Sequence, residues 1–156
     1  MKMRILRVAA VVLMAGACTN PTDAGFPELE LSTDQTFYGL NDVSPLALAN
    51  RDPFESVRYS WCWMWIQRQT DQGWESVAGI SVAVDGTSGI CDLELLGPRT
   101  TAQFSVGLQS FRPWNVEEGT PLQVESGVPY RFGMRVWGMS IQETDTIFSN
   151  SFTFAE

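Results

Sequence analysis

The sequence predicts an all-β fold, an antiparallel β-sandwich of about seven to nine strands. From Phe26 onward, apolar side chains recur with a period of two rather than 3.6. Turn-forming residues interrupt this pattern at the spacing expected of short antiparallel strands. No run of helical period, internal repeat or second domain boundary follows Phe26. One sandwich domain over residues 28–156 accounts for the pattern.

The first two predicted strands alternate apolar and polar residues. Leu29 and Leu31 lie on one side of the first strand, and Leu46 and Leu48 lie on one side of the second. Pro45 precedes Leu46, and proline is tolerated in a sheet only at a bulge, a strand start or an edge. Both strands therefore have one face directed toward a core.

A long third strand carries aromatic residues at alternate positions. These residues are Tyr59, Trp61, Trp63 and Trp65. Because each can bury about 150–250 Å² and the sandwich needs core area, we expect Trp61 in the core. Met64 and Ile66 make the other side of the strand apolar as well, so the pattern leaves the placement of Trp63 and Trp65 open. Exposed indoles would instead offer a stacking platform for sugars.

The next elements follow from turn signals. Residues 70–73 turn the chain into a strand over 74–77, with Gly73 in a left-handed position. A short strand is predicted at 80–84 before the Asp85-Gly86 turn. After Gly97-Pro98, residues 102–108 alternate. The segment 109–127 is irregular and carries at most one strand, at 122–124.

The cleanest alternation in the chain runs from Val128 to Val136. It places Tyr130, Phe132, Met134 and Val136 on the inner side of a strand. The final strand carries Phe148, Phe152 and Phe154.

The outer side of that strand is the candidate binding patch. It carries Arg131, Gly133, Arg135 and Trp137, and Arg112 and Trp114 on the long connection can fold over it. Arginine and tryptophan are enriched at binding hot spots. The alternative is that Arg131 and Arg135 pair with Glu143 or Asp145 on a neighbouring strand.

The N-terminus reads as an export signal. Residues 1–17 combine the basic side chains Lys2, Arg4 and Arg7 with an apolar stretch too short to span a membrane. The run Ala15-Gly16-Ala17-Cys18 resembles a bacterial lipobox, in which the cysteine is diacylated. Ala15 departs from the usual Leu, and the same run also fits an ordinary signal-peptidase site.

The number of cysteines favours lipidation. An unlipidated chain would keep three cysteines and hence one free thiol, whereas lipid on Cys18 leaves the pair Cys62 and Cys91. We expect a disulfide between these two, because exported proteins meet an oxidising compartment. A structural bridge is favoured over a redox-active one, since their separation is unlike C-x-x-C.

A flexible tether at residues 18–27 would join the lipid to the domain. Its residues 19–25 have an extended reach of at most about 25 Å. Residues 18–156 contain seven arginines and 18 acidic side chains, giving a formal charge of −11. This charge disfavours nucleic acid as a partner. Thr19 after Cys18 would imply outer-membrane sorting in enteric bacteria, at a periplasmic or surface-exposed face.

Composition excludes most familiar catalysis. The chain has no histidine, and its lysine lies in the leader, so serine or threonine would lack an ordinary base. Pairs of carboxylates that lie close in sequence are expected to be solvated rather than catalytic. These pairs are Glu117/Glu118, Asp71/Glu75 and Glu143/Asp145. No EF-hand or phosphate-binding motif is present, so we predict neither enzyme activity nor a metal or cofactor.

Residues distributed over most of the range 31–154 are similar in type and spacing to those of a known protein family. They are Leu31-Ser32-Thr33-Asp34, Tyr38, Asp42, the Leu46/Leu48 strand ending at Asn50, Tyr59, Cys62, Gly73-Trp74, Cys91, Gly97-Pro98, Tyr130-Arg131-Phe132 and Ser149-Asn150-Ser151-Phe152. The set resembles bacterial immunoglobulin-like lipoproteins. Asn41, the Leu96-Gly97-Pro98 turn and the long 109–127 segment depart from it.

This resemblance implies that the antiparallel β-sandwich is immunoglobulin-like. It also implies a lipid-anchored, non-enzymatic binding or structural module at the cell envelope. Tyr130 matches a tyrosine corner, while Phe132 stands where antibody domains carry the second core cysteine. A weaker similarity, at the strand ending in Asn50 and at Gly73-Trp74, is to the intracellular proteinase inhibitors. The alternative function is therefore an inhibitor-like or carbohydrate-binding sandwich, with a protein or glycan partner.

Overall fold

A computed structural model of the chain describes residues 26–80, 91–114 and 120–155. The predicted signal peptide at 1–17, Cys18 and most of the tether lie outside the described residues, as do Glu117 and Glu118. Within the described part no helical segment has the length and hydropathy of a membrane span.

The described residues form an all-β sandwich of eleven strands, which confirms the predicted fold class. In chain order they are β1 (Leu29–Thr33), β2 (Phe37–Tyr38), β3 (Val43–Asn50), β4 (Val57–Thr70), β5 (Gly73–Ile80), β6 (Glu94–Leu96), β7 (Thr101–Gly107), β8 (Phe111–Pro113), β9 (Pro129–Trp137), β10 (Thr144–Phe148) and β11 (Phe152–Phe154). A 3₁₀ turn, Leu108–Ser110, joins β7 to β8.

The strands form two sheets with immunoglobulin-like connectivity. The small sheet has the order β1-β3-β7, and the large sheet has the order β2-β11-β9-β4-β5-β8, with β10 beside β9 and β6 beside β4. The chain crosses to the large sheet for the short β2 and returns to the small sheet for β3. It then forms β4 to β6 in the large sheet, returns to the small sheet for β7 and completes the large sheet. This is how strands A, B and E are separated from C, F and G in immunoglobulin domains. The β2–β11 pair is parallel.

The core lies between the sheets and uses the predicted inward residues. Leu46 and Leu48 of β3 are buried, as are Tyr130, Phe132, Met134 and Val136 of β9. The rings of Phe132 and Phe152 stack with their centroids 4.7 Å apart. The alternation therefore identified the buried side of both strands correctly.

Three short strands were missed by the sequence pattern. These are β2, β8 and β10, each too short or too polar to show alternation. The prediction of one final strand is wrong, because Phe148 ends β10 whereas Phe152 and Phe154 belong to β11. The strand predicted at 122–124 is wrong, although Leu122 is buried, and β8 occupies the start of that irregular segment instead. Ile80 ends β5, and the rest of the predicted 80–84 strand lies outside the described residues.

Pro45 lies inside β3, the middle strand of the small sheet. It pairs with Ser105 of β7. On its other side β1 pairs only from Leu46 onward, so at Pro45 the strand has a single neighbour. The proline therefore occupies a locally free edge, which is one of the places where a sheet tolerates proline.

The Cys62–Cys91 disulfide is present, as predicted, with the two Cα atoms 5.8 Å apart. It ties the middle of β4 to the residues that precede β6. The expected tyrosine corner also has a structural counterpart, because the Tyr130 hydroxyl accepts a hydrogen bond of 2.9 Å from the backbone N–H of Glu125.

Candidate functional site

A register shift in β4 decides which side chains reach the surface. The pairing of β4 with β9 shifts between Tyr59 and Met64. Val57 and Tyr59 are buried before the shift, whereas Cys62, Met64 and Ile66 are buried after it. Between the pairs Tyr59–Val136 and Met64–Met134, β4 advances five residues while β9 advances two, so β4 carries three extra residues. Because three is an odd number, the buried side of the strand changes from odd to even residue numbers.

The expectation that Trp61 lies in the core is therefore wrong. Trp61 is 47% exposed and Trp63 is 48% exposed, while Trp65 is half-buried. All three project from the side of the large sheet that faces away from the small sheet. We call this side the outer face.

All six tryptophans of the chain belong to the outer face. Trp74 of β5 and Trp137 of β9 lie there by strand register, and Trp114 follows β8 on the same side. The six residues are Trp61, Trp63, Trp65, Trp74, Trp114 and Trp137. None of them is among the buried core residues. The core uses phenylalanine, tyrosine and aliphatic side chains instead.

Two glycines let indole rings lie directly on the strands. A Cβ atom at Gly133 would be 2.4 Å from Cε2 of Trp65, and one at Gly79 would be 2.8 Å from Cζ2 of Trp114. Both distances are too short for real atoms, so only glycine allows these rings to approach the backbone. The rings are thereby held at defined positions.

Edge-to-face contacts order the remaining rings. The centroids of Trp63 and Trp137 are 5.9 Å apart, and those of Trp65 and Phe148 are 6.4 Å apart. Such pairs contribute about 0.5–1.5 kcal/mol each beyond the area they bury. The outer face is thus an ordered aromatic surface.

Arg131 is fixed between aromatic rings. Its guanidinium carbon lies 4.3 Å from the Trp74 ring centroid and 3.8 Å from the Phe148 ring centroid. Its Nε donates a 2.9 Å hydrogen bond to Gln67 Oε1. Burial lowers the pKa of Arg131 from its ordinary value. The guanidinium nevertheless stays charged at any physiological pH.

Arg135 is held more loosely and is exposed. Its guanidinium carbon lies 5.7 Å from the Trp63 ring centroid. Neither Arg131 nor Arg135 forms an ion pair with a described carboxylate, so the alternative pairing with Glu143 or Asp145 is wrong. Asp145 lies opposite Val136 in the β9–β10 ladder, and that register directs its side chain to the inner side.

The outer face has a charge pattern unlike the rest of the protein. Strand register places Arg58, Arg112, Arg131 and Arg135 on this side, and none of them has an ion-pair partner among the described residues. The same register puts no described Asp or Glu there. The observed ion pairs, Arg51–Glu30 and Arg68 with Glu75 and Glu125, lie elsewhere. An acidic chain has therefore kept one face cationic.

A cleft of about 360 Å³ opens on the outer face. Three indoles line it, from Trp63, Trp65 and Trp114, together with Arg135. The Cys62–Cys91 bridge, Met64, Gly79 and Ile80 form the remainder of the lining. A hollow of about 390 Å³ on the small sheet has no tryptophan and no arginine in its lining. The cleft is therefore the better candidate site.

The predicted patch residues converge only in part. Arg131, Arg135 and Trp137 share the outer face with Trp114 and Arg112, but the cleft is lined by Arg135 and Trp114 alone among these five. Arg112 bonds the backbone carbonyls of Gln109 and Phe111. Trp63 and Trp65 were left open by the sequence, and only the β4 register brings them in.

The described carboxylates do not build a catalytic or metal site. Glu75 is bound by Arg68, and no group of three or more acidic or cysteine side chains in ranges 26–80, 91–114 and 120–155 could hold a metal ion. No protein-family model and no curated protein matches this chain. Function is therefore inferred from the outer face itself.

Proposed function

We propose that this protein is a non-enzymatic binding module of the cell envelope that docks through its outer face. One observation carries the proposal: every tryptophan lies on one side of the large sheet, together with four arginines that lack ion-pair partners among the described residues, and strand register places no described Asp or Glu on that side. Tryptophan and arginine are the side chains most enriched at binding hot spots.

The free energy of folding does not account for this arrangement. An exposed indole leaves apolar area in water that burial would stabilise by about 25 cal/mol per Å². Large exposed apolar patches on soluble proteins mark interaction sites. Glycines under Trp65 and Trp114 let these rings lie against the strands without a ligand, and a surface that is already formed lowers the cost of binding.

The proposal includes lipid anchoring at Cys18, in keeping with the lipobox-like run and the pairing of the other two cysteines. The resemblance to immunoglobulin-like lipoproteins supports the same reading. A tether of residues 18–27 would then hold the domain close to the membrane, in the outer membrane on the sorting rule of enteric bacteria. Phe26 and Pro27 of the tether lie in the described part.

Lipidation predicts that a radiolabelled fatty acid marks the wild-type protein in cells. Cys18→Ser should remain unlabelled, because the acyl chains attach through this thiol. Gel autoradiography of the immunoprecipitated protein measures the outcome. A labelled Cys18→Ser variant, or an unlabelled wild type found free in the medium, contradicts the anchor.

Binding through the outer face predicts a change in intrinsic tryptophan fluorescence, since every indole lies there. Titrating the purified protein with solubilised envelope material from the cells that export it should give a saturable change. Trp63→Ala should weaken binding at least tenfold, about 1.4 kcal/mol, because Trp63 contacts both Trp137 and Arg135.

Phe54→Ala is the matched control, since this exposed aromatic side chain lies in the loop between β3 and β4. It should bind like the wild type. No saturable change with any envelope fraction, or equal losses from Phe54→Ala and Trp63→Ala, would count against the outer face as a docking surface.

A further inference from the structure

The cleft of the outer face carries an inference about ligand class, which rests on the proposed function. We propose that the outer face binds an acidic polysaccharide, with sugar rings packed on the indoles of Trp63, Trp65 and Trp114 and an anionic substituent bound by Arg135.

The lining of the cleft suits sugar rings. The C–H groups of a pyranose carry partial positive charge and pack on the negative face of an aromatic ring. Three indoles line one cleft of about 360 Å³. This volume is near the lower end of the ~300–1,000 Å³ typical of small-molecule sites, so it accommodates one or two rings rather than a folded partner.

Arg135 supplies the preference for an anionic substituent. It lines the same cleft, is exposed and has no ion-pair partner among the described residues. Its position over the Trp63 ring leaves the guanidinium beside the surface on which a sugar would rest. A guanidinium binds a carboxylate or sulfate through paired, charge-assisted hydrogen bonds.

The remainder of the outer face extends the site along the sheet. From Arg131 to Trp137 the strand β9 covers about 20 Å at ~3.3 Å per residue. Trp74 and Arg131 lie toward one end of this strip, and Trp137 with Arg58 lies toward the other. An open strip with aromatic and cationic groups along its length fits a polymer better than a single small molecule.

The same charges favour a polysaccharide over an anionic membrane. A planar bilayer would approach the acidic surfaces of the protein as well as the outer face, and a formal charge of −11 on residues 18–156 would oppose it. A polysaccharide is thin enough to contact the outer face alone. At physiological salt, charges more than about 8 Å away are largely screened, so the local arginines dominate.

The test compares acidic and neutral sugars of otherwise equal structure. Polygalacturonate and its methyl ester form one pair of probes, and dextran sulfate and dextran form the other. Tryptophan fluorescence of the purified protein reports binding of each probe. We expect at least one acidic probe to bind saturably and at least tenfold more tightly than its neutral counterpart, with the difference shrinking as salt is added.

Three variants resolve the roles of the side chains. Arg135→Gln should remove most of the preference for the acidic probe while leaving the affinity for the neutral one unchanged. Trp114→Ala should weaken binding of both members of a pair at least tenfold. Arg99→Gln removes the same charge from an exposed loop residue off the outer face and should change nothing.

Three outcomes would overturn the inference. Equal affinity for the charged and neutral members of both pairs rejects recognition of the anionic group. Binding to phosphatidylglycerol vesicles without binding to any acidic polysaccharide assigns the face to membranes. If no sugar probe binds while envelope material still changes the fluorescence and Trp63→Ala abolishes that change, the glycan assignment fails and the proposed docking surface stands.

Discussion

Removing the disulfide through the double change Cys62→Ala and Cys91→Ala should lower the free energy of unfolding by about 3 to 4 kcal/mol. The bridge closes a loop between residues 29 positions apart, and losing that constraint raises the conformational entropy of the unfolded chain. Because small domains are stable by only about 5–15 kcal/mol, we expect the melting temperature to fall by about 10 °C or more.

Thermal and urea unfolding of both proteins, followed by circular dichroism, measure this effect. Reducing the wild type with dithiothreitol should reproduce the loss, and the same treatment should leave the double variant unchanged. A double variant that unfolds at the wild-type urea concentration would show that the bridge contributes nothing to stability. Since both cysteines line the cleft, ligand affinity should fall together with stability.

Gly133→Ala should destabilise the fold by about 1 to 3 kcal/mol and weaken binding at the outer face. The new Cβ would lie 2.4 Å from the Trp65 ring, so the ring must leave the strand. Since β9 lies between β4 and the β10–β11 edge, its backbone has little freedom to move instead. The displaced indole would also lose its edge-to-face contact with Phe148.

Combining Gly133→Ala with Trp65→Ala tests that cause directly. Without the indole the added methyl group has space, and alanine is favoured over glycine in a strand by about 0.5–1 kcal/mol. In the Trp65→Ala background Gly133→Ala should therefore cost nothing or stabilise, and a double-mutant cycle from urea unfolding gives the coupling. Additive effects would exclude the clash as the cause. Gly97→Ala is the control and should leave the free energy of unfolding nearly unchanged, because a Cβ atom at Gly97 would be 3.8 Å from its nearest neighbour, the Thr100 side chain.

The sequence alone determined the fold class and most of the inward side chains. A period of two is a local property of the backbone, since successive residues of a strand point to opposite faces. It therefore identified the inner residues of β3 and β9, and with them the outward positions of Arg131 and Arg135. Cysteine number and compartment chemistry likewise sufficed for the Cys62–Cys91 bridge.

Only the tertiary structure decided where the tryptophans of β4 point. Alternation fixes which residues share a face within a regular strand, but a register shift between Tyr59 and Met64 exchanges the faces, and beyond Cys62 both sides of this strand are apolar. Because neither side of this part of the strand is polar, the sequence of apolar residues is compatible with either face being buried. The core also needed no indole, because phenylalanine and tyrosine from β2, β8, β9 and β11 fill it.

The side chains that contact Arg131 and Arg135 could not be predicted from the alternation within one strand either. Arg131 lies between Trp74 and Phe148, which come from strands on opposite sides of β9. Any arginine near carboxylates in the sequence can pair with them, and Glu143 and Asp145 were reasonable candidates. Strand register instead placed aromatic rings beside the guanidinium and turned Asp145 toward the other face. Alternation within a strand determines on which side of the sheet a side chain lies. The side chains that it contacts there depend on how strands distant in sequence pair.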